Sequence, residues 1–371
     1  MTPWLWLAGI LPAAALVWEA LRHRANVRAV PVRILVNGTR GKTSVTRLLA
    51  AALRHGGLSV RAKCTGTDAV EILPDGSEAL TPRPAGARIT ELRGFMRRAA
   101  RQGARAVVVE CMAVQPEMQD ALARLLLRPT ITIITNARVD HVEDAGETVG
   151  ETAASLSSSV IPGTMLVTDE ARFNGWPNLT RGDEGPLPEG WLRAFPFPVF
   201  EENVRLALAA AALCGIPREA ALEGMLRAAP DTGMAGPFRV GNALVVNAFA
   251  ANDPQSTAMH VAAYREEMEA YGSVLVLYNH RRDRAYRLDL FLGLLREWAA
   301  LRPTLAVVGD DAPAAARRLA RRLPYPCRAM DAREPLTPAF YETRRAILCV
   351  GNIKGDGHAM VRYLMDGEGK A

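Results

Sequence analysis

The fold is decided by the stretch Val32-Arg-Ile-Leu-Val-Asn-Gly38-Thr-Arg-Gly41-Lys42-Thr43-Ser44. The apolar, β-branched run predicts a buried strand, and the residues from Lys42 onward predict a helix. Gly38 and Gly41 let backbone N–H groups close on phosphate oxygens, and the N-terminus of the helix adds its dipole. Lys42 can reach the β- and γ-phosphates of a nucleotide, while the Thr43 hydroxyl can join a magnesium shell. The stretch therefore predicts a phosphate-binding turn, with a shorter glycine spacing than the general pattern.

Lysine is rare in this chain, which makes Lys42 more informative. Of 45 basic residues only Lys42, Lys63, Lys354 and Lys370 are lysines, and the rest are arginines. The formal net charge of +6 therefore reflects a compositional preference for arginine and indicates mainly a solvated surface. No zinc-finger, RNA-recognition or helix-turn-helix signature accompanies the charge, so we expect no nucleic-acid partner.

Strand and helix patterns alternate on both sides of one break in the sequence. The 371 residues suggest two domains at about 150 residues each. The run Pro230-Asp-Thr-Gly-Met-Ala-Gly-Pro237 is the best boundary, because proline and glycine interrupt both helices and strands. We therefore predict an α/β chain: a parallel-sheet domain over 25–235 and a smaller α/β domain over 236–371. The five cysteines lack paired spacing, so we expect neither a disulfide framework nor a zinc ribbon.

The first residues predict a membrane anchor over residues 1–24. Residues 1–18 carry no charged side chain, and Arg22, His23 and Arg24 follow them. A helix of that length spans about 27 Å, close to a hydrocarbon core of about 30 Å. The positive-inside rule then gives a single-pass plasma-membrane protein with cytoplasmic domains. A cleaved signal peptide is the alternative, although its positively charged start is missing.

Two further strand ends carry polar side chains. Glu110 closes the strand Ala106–Glu110, and the stretch Asn136-Ala-Arg-Val-Asp140-His141 follows the predicted strand Thr130–Thr135. Ligands of open α/β sheets bind at the carboxyl ends of strands, and carboxylates with one imidazole suit a divalent cation beside phosphates. A hydrated carboxylate and an ordinary loop histidine are the alternative interpretations.

Taken together, these motifs resemble the ATP-binding domain of Mur ligases and folylpolyglutamate synthases, which are ATP-dependent amide ligases. A closer resemblance is to the poly-γ-glutamate synthase CapB/PgsB family, which has a short membrane helix directly before the P-loop. The strings that carry it are Lys63-Cys-Thr-Gly-Thr-Asp68, Glu110-Cys-Met-Ala-Val114, Asn247-Ala-Phe-Ala-Ala-Asn-Asp253 and Val350-Gly-Asn-Ile-Lys-Gly355. This resemblance covers essentially the whole chain.

The resemblance implies a Mur ligase-like P-loop domain and assigns roles to individual residues, with ATP and Mg²⁺ as cofactors. Lys42, Glu110 and His141 are the implied catalytic residues, and Thr43, Glu110 and His141 would surround the magnesium ion. The implied ATP-binding residues are Gly38, Thr39, Arg40, Gly41, Lys42, Thr43, Ser44 and Asn203. The candidate substrate-binding residues are Lys63, Thr65, Thr67, Asp68, Arg281, Arg282 and Arg284. For the three arginines, a solvated basic loop is an equally open interpretation.

The implied reaction is activation of a glutamate or chain-end carboxyl as an acyl phosphate, followed by attack of an amino group. The implied partners are glutamate, the poly-γ-glutamate chain, the lipid bilayer through residues 1–18, and small membrane subunits like CapC/PgsC and CapA/PgsA. A homo-oligomer is also possible. Two alternatives stay open: another Mur-like or folylpolyglutamate-type amide ligase, and an ATPase subunit that energises polymer export.

Overall fold

The computed structural model describes residues 3–83, 86–138, 146–234, 236–251 and 253–368. The chain divides into two compact units, each built on its own sheet. The first unit comprises Met1–Trp191 with Val199–Ala229, and the second comprises Leu192–Pro198 with Pro230–Ala371.

An eight-stranded sheet forms the first unit, in the spatial order β4-β3-β2-β5-β1-β6-β7-β8. The strands are β1 (Val32–Asn37), β2 (Val60–Cys64), β3 (Val70–Ile72), β4 (Glu78–Leu80), β5 (Ala106–Glu110), β6 (Ile131–Ile134), β7 (Met165–Val167) and β8 (Leu179–Thr180). From β2 to β8 all neighbours are parallel, whereas β3 and β4 add an antiparallel edge. The carboxyl ends of β5, β1 and β6 therefore meet at one edge of the sheet, where open α/β sheets bind their ligands.

Helices cover both faces of this sheet. They are α1 (Pro3–Arg28), α2 (Lys42–His55), α3 (Glu91–Arg101), α4 (Pro116–Ala121), α5 (Val149–Ser157), α6 (Glu201–Leu213) and α7 (Arg218–Met225). On one face α2 packs against β2, β5, α6 and α7. On the other face a buried cluster joins Leu35, Val107 and Val109 of the sheet to Phe95 of α3 and Val27 of α1. This arrangement leaves the turn between β1 and α2 at the carboxyl edge.

The second unit contains a six-stranded sheet in the order β13-β12-β11-β14-β10-β9. Its strands are β9 (Phe238–Val240), β10 (Ala243–Asn247), β11 (Val274–His280), β12 (Thr304–Gly309), β13 (Cys327–Ala329) and β14 (Arg345–Gly351). Only the pairing of β9 with β10 is antiparallel among the pairs of this sheet. The helices are α8 (Pro254–Ala263), α9 (Arg265–Glu269), α10 (Arg287–Glu297), α11 (Ala312–Ala320) and α12 (Asp356–Glu368). Asp253 caps α8, and its carboxylate accepts a hydrogen bond from the Ser256 N–H at 2.8 Å.

The N-terminal helix α1 packs on the first unit through its C-terminal half. His23 Nε2 donates a hydrogen bond to the Leu126 carbonyl oxygen at 2.9 Å, and Glu19 pairs with Arg93 at 3.0 Å. The prediction of a membrane-spanning helix is not confirmed. In the part of the chain that the structure describes, no helix combines the length and the apolar character that crossing a bilayer requires.

The sequence pattern predicts the central elements at their observed bounds and misses the short edge strands. β5 has the predicted bounds and α2 begins at the predicted Lys42, whereas the helix that begins at Pro116 changes to a π-helical winding at Leu122. β3, β4, β9 and β13 have three residues each, too few to show a period of two.

Candidate active site

The turn between β1 and α2 has the backbone geometry that a phosphate-binding turn requires. Gly38 has φ of 128° and Gly41 has φ of 83°, values that favour glycine. A Cβ atom at Gly41 would also collide with the Asn203 side chain. α2 begins at Lys42 without a side-chain cap, so its first N–H groups and its dipole point toward the turn. The turn can therefore receive an anion.

Residues that follow β6 hold this turn from the side. The Thr39 N–H donates to the Asn136 carbonyl oxygen at 3.0 Å, and the Arg40 N–H donates to Asn136 Oδ1 at 3.2 Å. In return, Thr135 Oγ1 donates to the Arg40 carbonyl oxygen at 2.5 Å, and Asn136 Nδ2 donates to the same oxygen at 3.1 Å. Because these bonds tie the two loops together, the backbone of the turn is held in place before a ligand arrives.

Lys42 lies over the turn that it follows. Its Nζ donates to the Gly38 carbonyl oxygen at 2.6 Å and to the Thr39 carbonyl oxygen at 3.2 Å. These neutral carbonyls hold the ammonium group at the mouth of the turn. The phosphate oxygens of a nucleotide would be stronger partners for it, because charge-assisted hydrogen bonds exceed neutral ones.

Thr43 and Glu110 meet at the adjoining strand end. Glu110 follows Val109 on β5, lies in register with Val36 of β1, and is 3% exposed. Thr43 Oγ1 lies 3.0 Å from both Glu110 carboxylate oxygens, and the Thr65 N–H donates to Oε2 at 2.7 Å. A hydroxyl and a carboxylate beside a phosphate-binding turn form the donor set that hard divalent cations prefer, so these two residues fit a magnesium ion.

His141, the third predicted metal ligand, lies outside the described residues, as does Asp140. Within the described ranges, no group of three histidine, cysteine, aspartate or glutamate side chains is placed to hold a metal ion. The structure thus brings together two of the three predicted ligands, Thr43 and Glu110, and does not test the third.

Asn203 lies against the phosphate-binding turn. It is 2% exposed near the start of α6, and its carboxamide fills the space beside Gly41. The neighbouring Glu202 pairs with Arg138 at 3.4 Å, which ties α6 to the loop after β6. Ser44 is the third residue of α2 and is half-buried.

The predicted substrate loop is divided between two environments. Thr65 contacts Glu110 through its backbone N–H, and Thr67 and Asp68 are half-buried beyond it. Lys63 lies on the opposite face of the sheet, where its ammonium group is buried in an ion pair with Glu91 at 3.1 Å. Its side chain is 1% exposed. In this structure Lys63 is therefore a buried partner of Glu91 and does not reach the phosphate-binding turn.

The three predicted arginines belong to the second unit, directly after β11. Arg281 pairs with Asp283 at 2.6 Å, Arg282 pairs with Asp311 at 2.8 Å, and Arg284 donates to the Tyr286 hydroxyl at 3.2 Å. Arg282 and its partner are well exposed. These are local surface contacts, and the role of the arginines toward a substrate stays a prediction.

Behind the turn lies a buried polar network that the sequence analysis did not predict. Asn37 donates through Nδ2 to Gln119 Oε1 at 2.8 Å and to Ser159 Oγ at 3.0 Å, while its Oδ1 accepts from the Gly38 N–H at 2.8 Å. Gln119 is 1% exposed and donates to the Val114 carbonyl oxygen at 2.7 Å. The network orients the end of β1. Its only signal in the sequence is a polar Asn37 at the end of an apolar strand.

Comparison with known proteins gives two family matches within the chain. Residues 36–167 match the Mur ligase middle domain, and residues 236–367 match the C-terminal domain of poly-gamma-glutamate synthase CapB. Among curated proteins, the chain is 34% identical over 307 residues to PGA synthase CapB of Bacillus subtilis, covering 77% of this chain and 78% of that protein. It is 32% identical over 294 residues to the capsule biosynthesis protein CapB of Bacillus anthracis, covering 74% of this chain and 62% of that protein.

Solved structures share the fold at low sequence identity. A folylpolyglutamate synthase from Thermotoga maritima has a TM-score of 0.63 at 13% identity, over 97% of this chain and 98% of its own. A bifunctional folylpolyglutamate synthase/dihydrofolate synthase from Yersinia pestis, complexed with AMPPNP and a manganese ion, has a TM-score of 0.68 at 16% identity. That match covers 93% of this chain and 92% of the other.

Proposed function

Because this chain belongs to the CapB family of poly-γ-glutamate synthases, which are Mur ligase-like, ATP-dependent amide ligases, we propose that it joins glutamate through acyl-phosphate chemistry at the turn between β1 and α2. The observation that carries the proposal is the contact of Thr43 and Glu110 beside a preformed phosphate-binding turn. Family membership gives the reaction class, and this contact gives the location.

The reaction has two steps. An oxygen of the glutamate γ-carboxylate attacks the terminal phosphorus of ATP, the bond to the bridging oxygen breaks, and ADP leaves. An amino group then attacks the carbonyl carbon of the acyl phosphate, loses a proton, and displaces inorganic phosphate. Positioning and charge neutralisation supply most of the catalysis in such transfers.

The chain's own residues have separate roles in this scheme. The N–H groups at the start of α2 bind the phosphates, since those of Thr39 and Arg40 already donate to Asn136. Lys42 leaves the Gly38 and Thr39 carbonyls and neutralises charge on the transferred phosphoryl group. Thr43 and Glu110 would hold a magnesium ion, with His141 as the proposed third ligand. When bound, such an ion neutralises charge on the phosphate oxygens.

The proposed substrate contacts follow from the same scheme. Thr65 contacts Glu110 through its backbone N–H. Thr65, Thr67 and Asp68 are proposed to face the glutamate. Arg281, Arg282 and Arg284 are proposed to bind anionic groups of the nucleotide or of the chain.

We also propose that residues 1–18 anchor the chain in the plasma membrane and leave the catalytic units in the cytoplasm. Helix α1 has exposed apolar side chains on the protein surface, each at least 58% exposed: Leu11, Leu16, Val17, Trp18 and Leu21. Small membrane subunits of the CapC and CapA kind, and a second copy of this chain, are proposed partners. Replacing Leu16 and Val17 by glutamate should move the protein from the membrane fraction to the supernatant.

The test of the ligase proposal is an assay with membranes that contain the chain and its partners, supplied with ATP, Mg²⁺, glutamate and hydroxylamine. We expect ADP together with a glutamyl hydroxamate, and neither product with Lys42→Ala. ADP formation at the same rate without glutamate, and without hydroxamate, would instead support an ATPase that serves polymer export. The ligase assignment is favoured because the Thr65 N–H directly joins the predicted substrate loop to Glu110.

A further inference from the structure

A cavity of about 620 Å³ lies in the first unit between the β3–β4 hairpin and the start of α3. Its volume is within the range of about 300–1,000 Å³ that small-molecule sites occupy. The charged residues that line it are Arg61, Arg83, Arg88, Arg98, Glu71 and Glu91. The cavity therefore has a wall rich in guanidinium groups, and nothing in the proposed reaction scheme uses it.

Glu71 is shared by two of these arginines. It is 4% exposed, and it accepts hydrogen bonds from Arg61 at 2.7 Å and from Arg98. Burial by itself would raise the pKa of Glu71, but the hydrogen bonds from Arg98 and Arg61 hold that pKa below its ordinary value. One carboxylate thus faces two guanidinium groups.

Glu91 is likewise shared by two cations. Arg83 binds it through two hydrogen bonds of 2.9 and 3.1 Å, and the buried Lys63 pairs with it at 3.1 Å. The guanidinium of Arg88 adds a further positive charge, because it has no hydrogen bond or ion pair to any residue in the described ranges. Around this cavity the positive charges therefore exceed the carboxylates, and concentrated charge of one sign attracts an anion.

The cavity also adjoins the proposed reaction site along the chain. Lys63 contacts Glu91 on the cavity wall, and two residues later the Thr65 N–H contacts Glu110. Two residues of extended chain span about 7 Å. The segment from Lys63 to Thr65 therefore links the cavity wall to the strand end that carries Glu110.

We propose that this arginine-lined cavity binds the γ-glutamyl chain through its α-carboxylates. The inference rests on the proposed function, because it assumes that the chain is the enzyme's acceptor or product. A γ-linked glutamate polymer carries one free α-carboxylate per residue, and the planar fork of arginine binds a carboxylate through two hydrogen bonds. Free glutamate would occupy only part of such a site.

The test measures binding of a labelled, short γ-glutamyl oligomer to the full chain at fixed salt. The Arg88→Gln variant removes a guanidinium that makes no hydrogen bond or ion pair with a described residue, so the fold should survive, which thermal melting checks. We expect oligomer affinity to fall about five- to tenfold. Arg88→Lys should restore part of that loss. The matched control is Arg97→Gln: Arg97 is an exposed arginine of α3 that is not among the cavity's lining residues.

The inference is overturned if Arg88→Gln binds the oligomer as tightly as the parent does, or if Arg97→Gln weakens binding equally. It is also overturned if inorganic polyphosphate binds the parent with the same affinity and the same dependence on Arg88, since that would be generic attraction of a polyanion. The hydroxamate assay reports separately on the ligase. Hydroxamate formation without oligomer binding would refute only the proposal that the cavity binds the oligomer. Oligomer binding without hydroxamate formation would refute the proposed ligase activity.

Discussion

The Lys42 ammonium group donates to two backbone carbonyl oxygens of the turn that precedes it, at 2.6 and 3.2 Å. Replacing it by alanine should therefore leave the fold nearly unchanged, while the transferred phosphoryl group loses its main cation. We expect glutamate-dependent ADP formation to fall by about 100-fold or more. Steady-state kinetics and a thermal melt of the same preparation measure the two effects.

Lys42→Arg provides the matched control for charge. An arginine keeps the positive charge but presents a planar fork instead of a compact ammonium group. Most of the loss should therefore remain. Activity of Lys42→Arg close to that of the parent would show that charge alone is required at this position.

Glu110→Gln tests the metal site at the same scale. The amide keeps the size of the side chain and can still accept from the Thr65 N–H, but it loses the negative charge beside Thr43. We expect the Mg²⁺ concentration for half-maximal activity to rise by roughly tenfold or more. A magnesium titration of the ATPase or ligase activity measures this. An unchanged titration midpoint would remove Glu110 from the metal site.

At the scale of structural elements, the loop after β2 controls the position of the Thr43 hydroxyl. Gly66 packs so closely on Thr43 that a Cβ atom at Gly66 would collide with Thr43 Oγ1. Gly66→Ala should rotate this hydroxyl away from Glu110 without disturbing the sheet. We expect the Mg²⁺ requirement to rise as for Glu110→Gln while thermal stability changes little.

Gly57 offers a matched glycine position with open space around it, although its φ of 90° strains any side chain. Gly57→Ala should therefore lower thermal stability by about 1 kcal/mol and leave the Mg²⁺ requirement unchanged. If both variants shift the Mg²⁺ requirement equally, the contact between Gly66 and Thr43 has no special role.

The extent of prediction from sequence also differs between elements. Long apolar strands and a helix with an amphipathic pattern are local features, and so β1, β5 and α2 were predictable to the residue. The environment of Lys63 was not, because the lysine predicted to face glutamate pairs with Glu91, a partner on a different element. That pairing depends on which face of β2 the α3 helix covers. The β3 and β4 strands, which form the cavity edge, were not predictable either, because three residues are too few to show a period of two.

For the whole molecule, His260 in the second unit makes the free energy of unfolding depend on pH. Burial is the main cause that lowers its pKa to about 4, and a hydrogen bond with the Asn247 backbone opposes this shift. The unfolded chain would titrate near 6.5, so it binds the proton first as the pH falls. The free energy of unfolding that depends on neutral His260 is therefore fully present above about pH 6.5. It is lost progressively as the pH falls toward 4. The total loss is about 3 kcal/mol.

Denaturant unfolding of the parent and of His260→Gln across that pH range tests this prediction. The glutamine variant should show a flatter loss of stability between about pH 6.5 and pH 4, because it has no group to protonate in the unfolded chain. Identical slopes for the two proteins would mean that other groups account for the acid sensitivity.

The central claim for the whole molecule is that ATP cleavage and amide formation pass through a glutamyl phosphate. The most direct measurement uses glutamate whose γ-carboxylate carries heavy oxygen, with mass analysis of the inorganic phosphate released during polymer synthesis. If the carboxylate attacks phosphorus, one heavy oxygen is transferred to each phosphate that accompanies an amide bond. Phosphate that carries only oxygen from water and ATP, formed alongside new polymer, would contradict the account.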